Sequence, residues 1–214
     1  MCTLRNFPNQ IEHCIEWGRD KFNELFVDTP GDLTSYLDNP QLFVSQLKAN
    51  STSAGAVTSL GRMLEFIEMK NDNSFDKCVA MARDQFNSYY DYQIRDLLSV
   101  FPIDHKDKSG QPFWSGPKRA PSPITFDLSN PTHLNFVVCY ANLIAVALGI
   151  PENRDAKAVA SISEKVPIKP YEPKKVEVEE GKENESKSLT PDDEVLIERF
   201  LARIEKVSAE IKKE

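Results

Sequence analysis

A thiol at position 2, a hydroxyl at position 3 and a guanidinium at position 5 open the chain, in the run Cys2-Thr3-Leu4-Arg5-Asn6-Phe7-Pro8-Asn9. No other stretch sets a nucleophile so close to groups that could assist it. A free cysteine has a pKa near 8.5, so about 3% is thiolate at pH 7. Arg5 could favour the anionic sulfur, and the Thr3 hydroxyl could donate a hydrogen bond to the sulfur or to an oxyanion. A helix dipole adds little, because its field fades within the first turn and the next helical pattern begins several residues on. No histidine stands beside the thiol, since the periodicity places His13 more than one turn inside that helix. Such a thiol can attack an acyl group that is already activated, an acyl adenylate for instance. It is poorly equipped to cut an unactivated peptide, which needs a base and an oxyanion hole. The alternative is that Cys2 belongs to a frayed terminus and the chain is a non-catalytic helical protein-interaction module.

The totals narrow the choice. The chain has 214 residues, enough for one sizeable domain with an appended tail. Its net charge of -7 argues against a nucleic-acid partner, which would select a basic face; Lys118-Arg119 is the candidate for a local basic patch. Four cysteines (Cys2, Cys14, Cys78, Cys139) show no Cys-x-x-Cys spacing, and three fall on apolar helical faces, as reduced core thiols of a cytosolic or nuclear protein do. The three histidines are scattered, so no zinc site is expected. The longest apolar stretch, Phe136 to Ile150, is too short for a bilayer and contains Asn142.

The elements that must position the thiol are helical. Ile11, Cys14, Ile15, Phe22, Leu25 and Phe26 form one stripe, and Asp28-Thr29-Pro30-Gly31 is expected to stop that helix. Short helices are expected at Asp32–Leu37 and Pro40–Lys48, and a longer one over Ser53–Met69. Another runs from Ser74 to near Phe101-Pro102, with Phe75, Cys78, Val79, Ala82, Phe86, Tyr89 and Leu97 inward. Ile103 to Ser129 is rich in proline and aromatic residues and reads as an ordered loop. Asn130-Pro131 then caps a helix that is apolar almost all round and ends at Gly149. Smaller and final helices follow at Asp155–Glu164 and Thr190–Ile211. The expected fold is mainly α: an irregular multi-helix domain with a long Pro/aromatic-rich loop and little or no strand. The expected divisions are a helical domain over 1–165, a flexible charged linker over 166–189 and a C-terminal helix over 190–214 that docks on the main domain.

Two blocks of residues carry a resemblance. Cys2-Thr3-Leu4-Arg5-Asn6-Phe7-Pro8, with Ile11-Glu12-His13, Trp17 and Arg19-Asp20-x-Phe22, resembles the active-site segment of the ubiquitin-activating enzymes. Pro112-Phe113-Trp114-Ser115-Gly116-Pro117-Lys118-Arg119, with Phe126-Asp127 and Asn130-Pro131-x-His133-Leu134, is similar to the same family's domain carrying the second catalytic cysteine half. The resemblance implies a helical domain inserted into an enzyme that uses ATP and magnesium to make a ubiquitin C-terminal adenylate. A cysteine then attacks the adenylate, releases AMP and holds ubiquitin as a thioester for a conjugating enzyme. Cys2 matches that nucleophile, and Thr3 and Arg5 match the polar residues beside it.

The chain shows no Gly-rich nucleotide loop and no βαβ pattern. The adenylation domain is therefore expected to be absent from it, with ATP and magnesium belonging to the parent enzyme and no cofactor to this part. Alone, it is expected not to charge ubiquitin. Expected partners are ubiquitin, ubiquitin-conjugating enzymes and the adenylation domain of the same parent chain, with no nucleic acid and no membrane. The expected location is cytoplasmic and nuclear. A cysteine protease would need a catalytic histidine that no motif places here.

Overall fold

The computed structural model describes residues 10–50, 53–72, 74–116, 118–173 and 191–211. Among them regular structure is helical, and extended pairing is confined to an isolated antiparallel bridge between Lys106 and Pro112. The mainly α expectation is met. The helices are α1 (Ile11–Asn23), α2 (Thr29–Asp38), α3 (Pro40–Asn50), α4 (Ser53–Asp72), α5 (Phe75–Asn87), α6 (Gln93–Val100), α7 (Pro131–Leu148), α8 (Ala156–Glu164) and α9 (Pro191–Ile211). A π turn, Glu24–Asp28, joins α1 to α2, and a second, Ser88–Tyr92, joins α5 to α6.

The first π turn overturns the expected stop at Asp28-Thr29-Pro30-Gly31. Proline breaks an α-helix because it lacks an N–H and its ring crowds the carbonyl four residues back. Here the turn is widened, so the Thr29 N–H and its hydroxyl (2.8 Å) both donate to the Glu24 carbonyl. Pro30 then falls in the first turn of α2, where a missing donor costs little.

By contacts the chain forms two compact units. One contains residues 1–19, 75–142 and 152–181; the other contains 20–74, 143–151 and 182–214. In the second unit α9 packs along α4. Leu60, Met63, Phe66 and Ile67 of α4 are buried, as are Ile197, Ile204 and Val207 of α9. Arg203 Nε adds an exposed ion pair with Glu68 at 2.8 Å. Val195 on the opposite side of α9 is exposed. The end of α7 also belongs here. Gly149 adopts φ 67°, open to glycine at no steric cost. Around it Ile150 N–H reaches back to the Ala145 carbonyl (2.8 Å) and Lys70 Nζ donates to the Leu148 carbonyl (2.8 Å).

In the first unit Asn130 Oδ1 caps α7 by accepting from Thr132 N at 2.9 Å, and Asp155 Oδ1 caps α8 by accepting from Lys157 N at 2.9 Å. The helix α7 begins five residues before the apolar stretch read at Phe136, and its 18 residues are long and apolar enough to cross a membrane by length and composition. Its Val137, Tyr140 and Ala141 are buried in protein, and buried Asn142 bonds the backbone of Asn153. Residues 167–173, inside the expected linker, lie against α6 and the second π turn. Tyr171 Oη donates to buried Asp96 at 2.7 Å, and Tyr92 Oη donates to the Lys169 carbonyl at 2.7 Å.

Candidate functional site

Cys2, Thr3 and Arg5 lie outside the described residues. The site is therefore built from the first described element after the thiol, α1, and from what that helix rests on. None of the residues of α1 is buried. Its apolar stripe faces solvent, with Ile11 68% and Ile15 64% exposed. The Trp17 ring of α1 meets Tyr89 edge-on at 5.0 Å and Tyr90 at 6.4 Å. Both tyrosines belong to the second π turn.

That π turn also receives the second sequence block. The Tyr90 carbonyl accepts from Ile124 N–H at 2.7 Å. The Tyr90 ring packs on Phe86 (4.9 Å) and Phe136 (5.6 Å). Phe126 meets Phe86 edge-on at 5.0 Å, and the Arg83 guanidinium lies 3.5 Å from the centre of the Phe126 ring. His133 Nδ1 accepts from Asp127 N–H at 3.1 Å, and the imidazole packs on Phe86 at 4.9 Å. The Asp127 carboxyl is held below its ordinary range, chiefly by the Ser129 hydroxyl. Trp17 from the first block and Phe126, Asp127 and His133 from the second thus converge on Phe86 and Tyr90. Sequence periodicity had named Phe86 and Tyr89 but missed Tyr90 and Arg83. The run Tyr89-Tyr90-x-Tyr92 was the available signal.

The front of the second block folds on the end of α6. Phe113 stacks on Phe101 with a 4.4 Å centroid separation, and Trp114 Nε1 donates to the Phe101 and Pro102 carbonyls at 3.0 Å each. Lys118 Nζ lies 4.3 Å from the centre of the Phe113 ring. Asp107, held below the ordinary carboxylate range chiefly by the Ser109 hydroxyl, ties the turn beneath them. The Lys118-Arg119 pair is thus half occupied in packing its own loop.

Three expectations need correction. His13 lies in the first turn of α1, because the helix starts at Ile11. Cys14 and Cys139 are exposed and are not core thiols. The stripe that carries Cys14 runs along a face that the described residues leave open. Only Cys78 among the described cysteines is buried, and burial pushes its thiol up to about 11. Among the described residues no cluster of His, Cys, Asp and Glu could hold a metal ion.

The described residues are helical and gather parts of both sequence blocks in one aromatic cluster. A family described as ubiquitin-activating enzyme, SCCH domain, matches residues 8–214. The chain is 40% identical over 185 residues (86% of its length) to ubiquitin-like modifier-activating enzyme 1 of Dictyostelium discoideum. It is 38% identical over 174 residues (81%) to ubiquitin-like modifier-activating enzyme 1 of Homo sapiens, and 36% over 211 residues (95%) to ubiquitin-activating enzyme E1 2 of Arabidopsis thaliana. The aligned region is 18%, 16% and 19% of those relatives respectively, so the chain spans under a fifth of their length. It belongs to the ubiquitin-activating enzyme family, as an SCCH domain. The family match begins at residue 8, after Cys2, Thr3 and Arg5.

Proposed function

We propose that this domain serves a ubiquitin-activating enzyme by carrying, at Cys2, the thiol that accepts ubiquitin from its adenylate and passes it to a conjugating enzyme. The observation that supports this is the match of nearly the whole chain to the SCCH domain, with a cysteine six residues ahead of it in a polar context. The Cys2 thiolate attacks the C-terminal carbonyl of the adenylate. A C–S bond forms, the acyl C–O bond to phosphate breaks, AMP leaves, and the thiol proton passes to solvent. The adenylate is a good electrophile, so a mildly activated thiol suffices. Arg5 favours the thiolate and Thr3 donates a hydrogen bond at the reacting atoms.

ATP and magnesium belong to the adenylating part of the parent enzyme. The described residues offer no metal-holding cluster and no parallel sheet for a nucleotide loop, and no step is assigned to either group in this domain. Its partners are then ubiquitin, conjugating enzymes and the adenylation domain, and its location is the cytoplasm and nucleus.

The test is Cys2→Ser in the full-length activating enzyme. Adenylate formation, read by ATP–pyrophosphate exchange, is expected to persist while the reductant-sensitive ubiquitin conjugate disappears. A variant that still forms that conjugate would refute the assignment. The 214-residue chain mixed with ubiquitin, ATP and magnesium is expected to form no conjugate.

A further inference from the structure

We propose that Tyr171 is a phosphorylation site for a protein-tyrosine kinase, and that its phosphate releases residues 167–173 from their seat on α6 and the second π turn, independently of any role of Cys2. This strap is held by side chains. Tyr171 Oη donates to Asp96 at 2.7 Å, Tyr92 Oη donates to the Lys169 carbonyl at 2.7 Å, and the two tyrosine rings lie 5.6 Å apart. Lys169 Nζ adds an exposed ion pair with Asp84 at 3.9 Å. Among the described residues no backbone-to-backbone hydrogen bond holds 167–173, and Ile168 is 47% exposed. A cleft of about 340 Å³ is lined by Ser88, Gln93 and Asp96 of the seat and by Lys169, Pro170 and Glu172 of the strap. The strap can therefore leave without breaking a ladder or emptying a core, which is the condition for local opening.

Of the six tyrosines, Tyr171 alone lies outside a helix or a π turn. Phosphoryl transfer needs the phenol oxygen in line with the γ-phosphorus. A half-buried tyrosine on an extended strap meets that demand once the strap swings out, and one fixed in a packed helix does not. In the step, a bond forms from Tyr171 Oη to the γ-phosphorus of ATP, the bond from that phosphorus to the ADP oxygen breaks, and the phenol proton passes to the kinase's aspartate. The modified ring cannot return. Oη loses the proton that it gives Asp96, and a phosphoryl group does not fit a 2.7 Å gap between two oxygens. The groups facing it are the carboxylates of buried Asp96 and of Asp91, against the Arg95 guanidinium, which lies 5.4 Å from the centre of the Tyr171 ring and is already paired with Asp91. A dianion there meets a net negative seat.

The 214-residue chain is treated with ATP, magnesium and the catalytic domain of a broad-specificity tyrosine kinase. Tandem mass spectrometry is expected to place phosphate on Tyr171, and Tyr171→Phe to lose most of the total incorporation. Backbone 15N order parameters of Lys169 and Glu172 are expected to fall from about 0.85 to below about 0.6 on phosphorylation, while those of α7 stay unchanged. A tyrosine phosphatase is expected to restore them. A chain that takes no phosphate at Tyr171 would overturn the site. A phosphorylated strap as ordered as the parent would overturn the release. So would order lost across α7 as well, or order that does not return with dephosphorylation, since both mark unfolding rather than an opened strap.

Discussion

Asn142 is the polar residue of α7 whose loss has the most readable cost. It is 6% exposed, and its amide makes a two-point contact with Asn153: Nδ2 donates to the Asn153 carbonyl at 2.9 Å and Oδ1 accepts from Asn153 N at 3.0 Å. A third bond, Nδ2 to the Val138 carbonyl at 2.8 Å, is shared with the helix ladder and matters less. In Asn142→Ala both backbone groups of Asn153 lose their partner. Each such bond is worth about 1–1.5 kcal/mol, and alanine returns roughly 0.5 kcal/mol of helix propensity, so the net loss is about 2 kcal/mol. The chain has two units, so a global melt averages over both; the sharper assay is amide hydrogen exchange at Asn153. About 2 kcal/mol corresponds to roughly thirtyfold faster exchange at that amide. The urea midpoint should also fall, by roughly 0.8 M for a slope near 2.5 kcal/mol/M. Exchange at Asn153 accelerated less than about threefold would refute the claim that this amide pair closes the turn between α7 and α8.

Three further outcomes follow from the buried ionisable groups Cys78 and Arg83. At pH 8 an aromatic disulfide reagent should label Cys14 and Cys139 quickly and Cys78 negligibly, since a thiol near 11 is about 0.1% thiolate there. The folded state holds the Cys78 proton longer than the unfolded chain does, so stability present below pH 9 should be lost as pH rises through 9 toward 11; a midpoint flat over that window would contradict the burial. Arg83 Nε and Nη1 are buried with no protein acceptor, and burial lowers the pKa of the group. Arg83→Met, which keeps the chain length and removes those donors at the cost of the Phe126 contact, should raise unfolding stability by about 1 kcal/mol; a loss of more than about 1 kcal/mol in urea denaturation would show the contact to be worth more than the donors cost.

Helix starts and stops carried by specific side chains were legible in the sequence. Asn130-Pro131, Asp155 and Gly149 act through their own chemistry (a cap, a fixed φ, a free φ), and each sits where that chemistry is used. The π turns were not legible. A turn with one extra residue shifts the ladder by one register, and a stripe counted at 3.6 residues per turn carries no trace of the shift. For the same reason Thr29-Pro30-Gly31 read as a stop although the widened turn admits the proline. Apolar stripes named faces without naming what covers them: the stripe of α1 is open among the described residues, and that of α9 is covered by α4.

The candidate site was legible in halves. Spacing and residue type singled out the thiol segment and the Pro/aromatic block as two separate features, because nothing in a one-dimensional pattern links Trp17 and Phe126 through Tyr90 and Phe86. The contacts supply the missing relation and change the role of the second block. Asn130 caps α7, which fixes His133; His133 Nδ1 holds Asp127 N–H; and that grip sets Phe126 on Phe86 and under Arg83. Phe86 and Phe136 then brace Tyr90, whose carbonyl is tied to Ile124 and whose ring, with Tyr89, receives Trp17. Phe126, Asp127 and His133 of the second block each meet a neighbour in this run of contacts. The second block thus braces the π turn on which Trp17 of α1 rests.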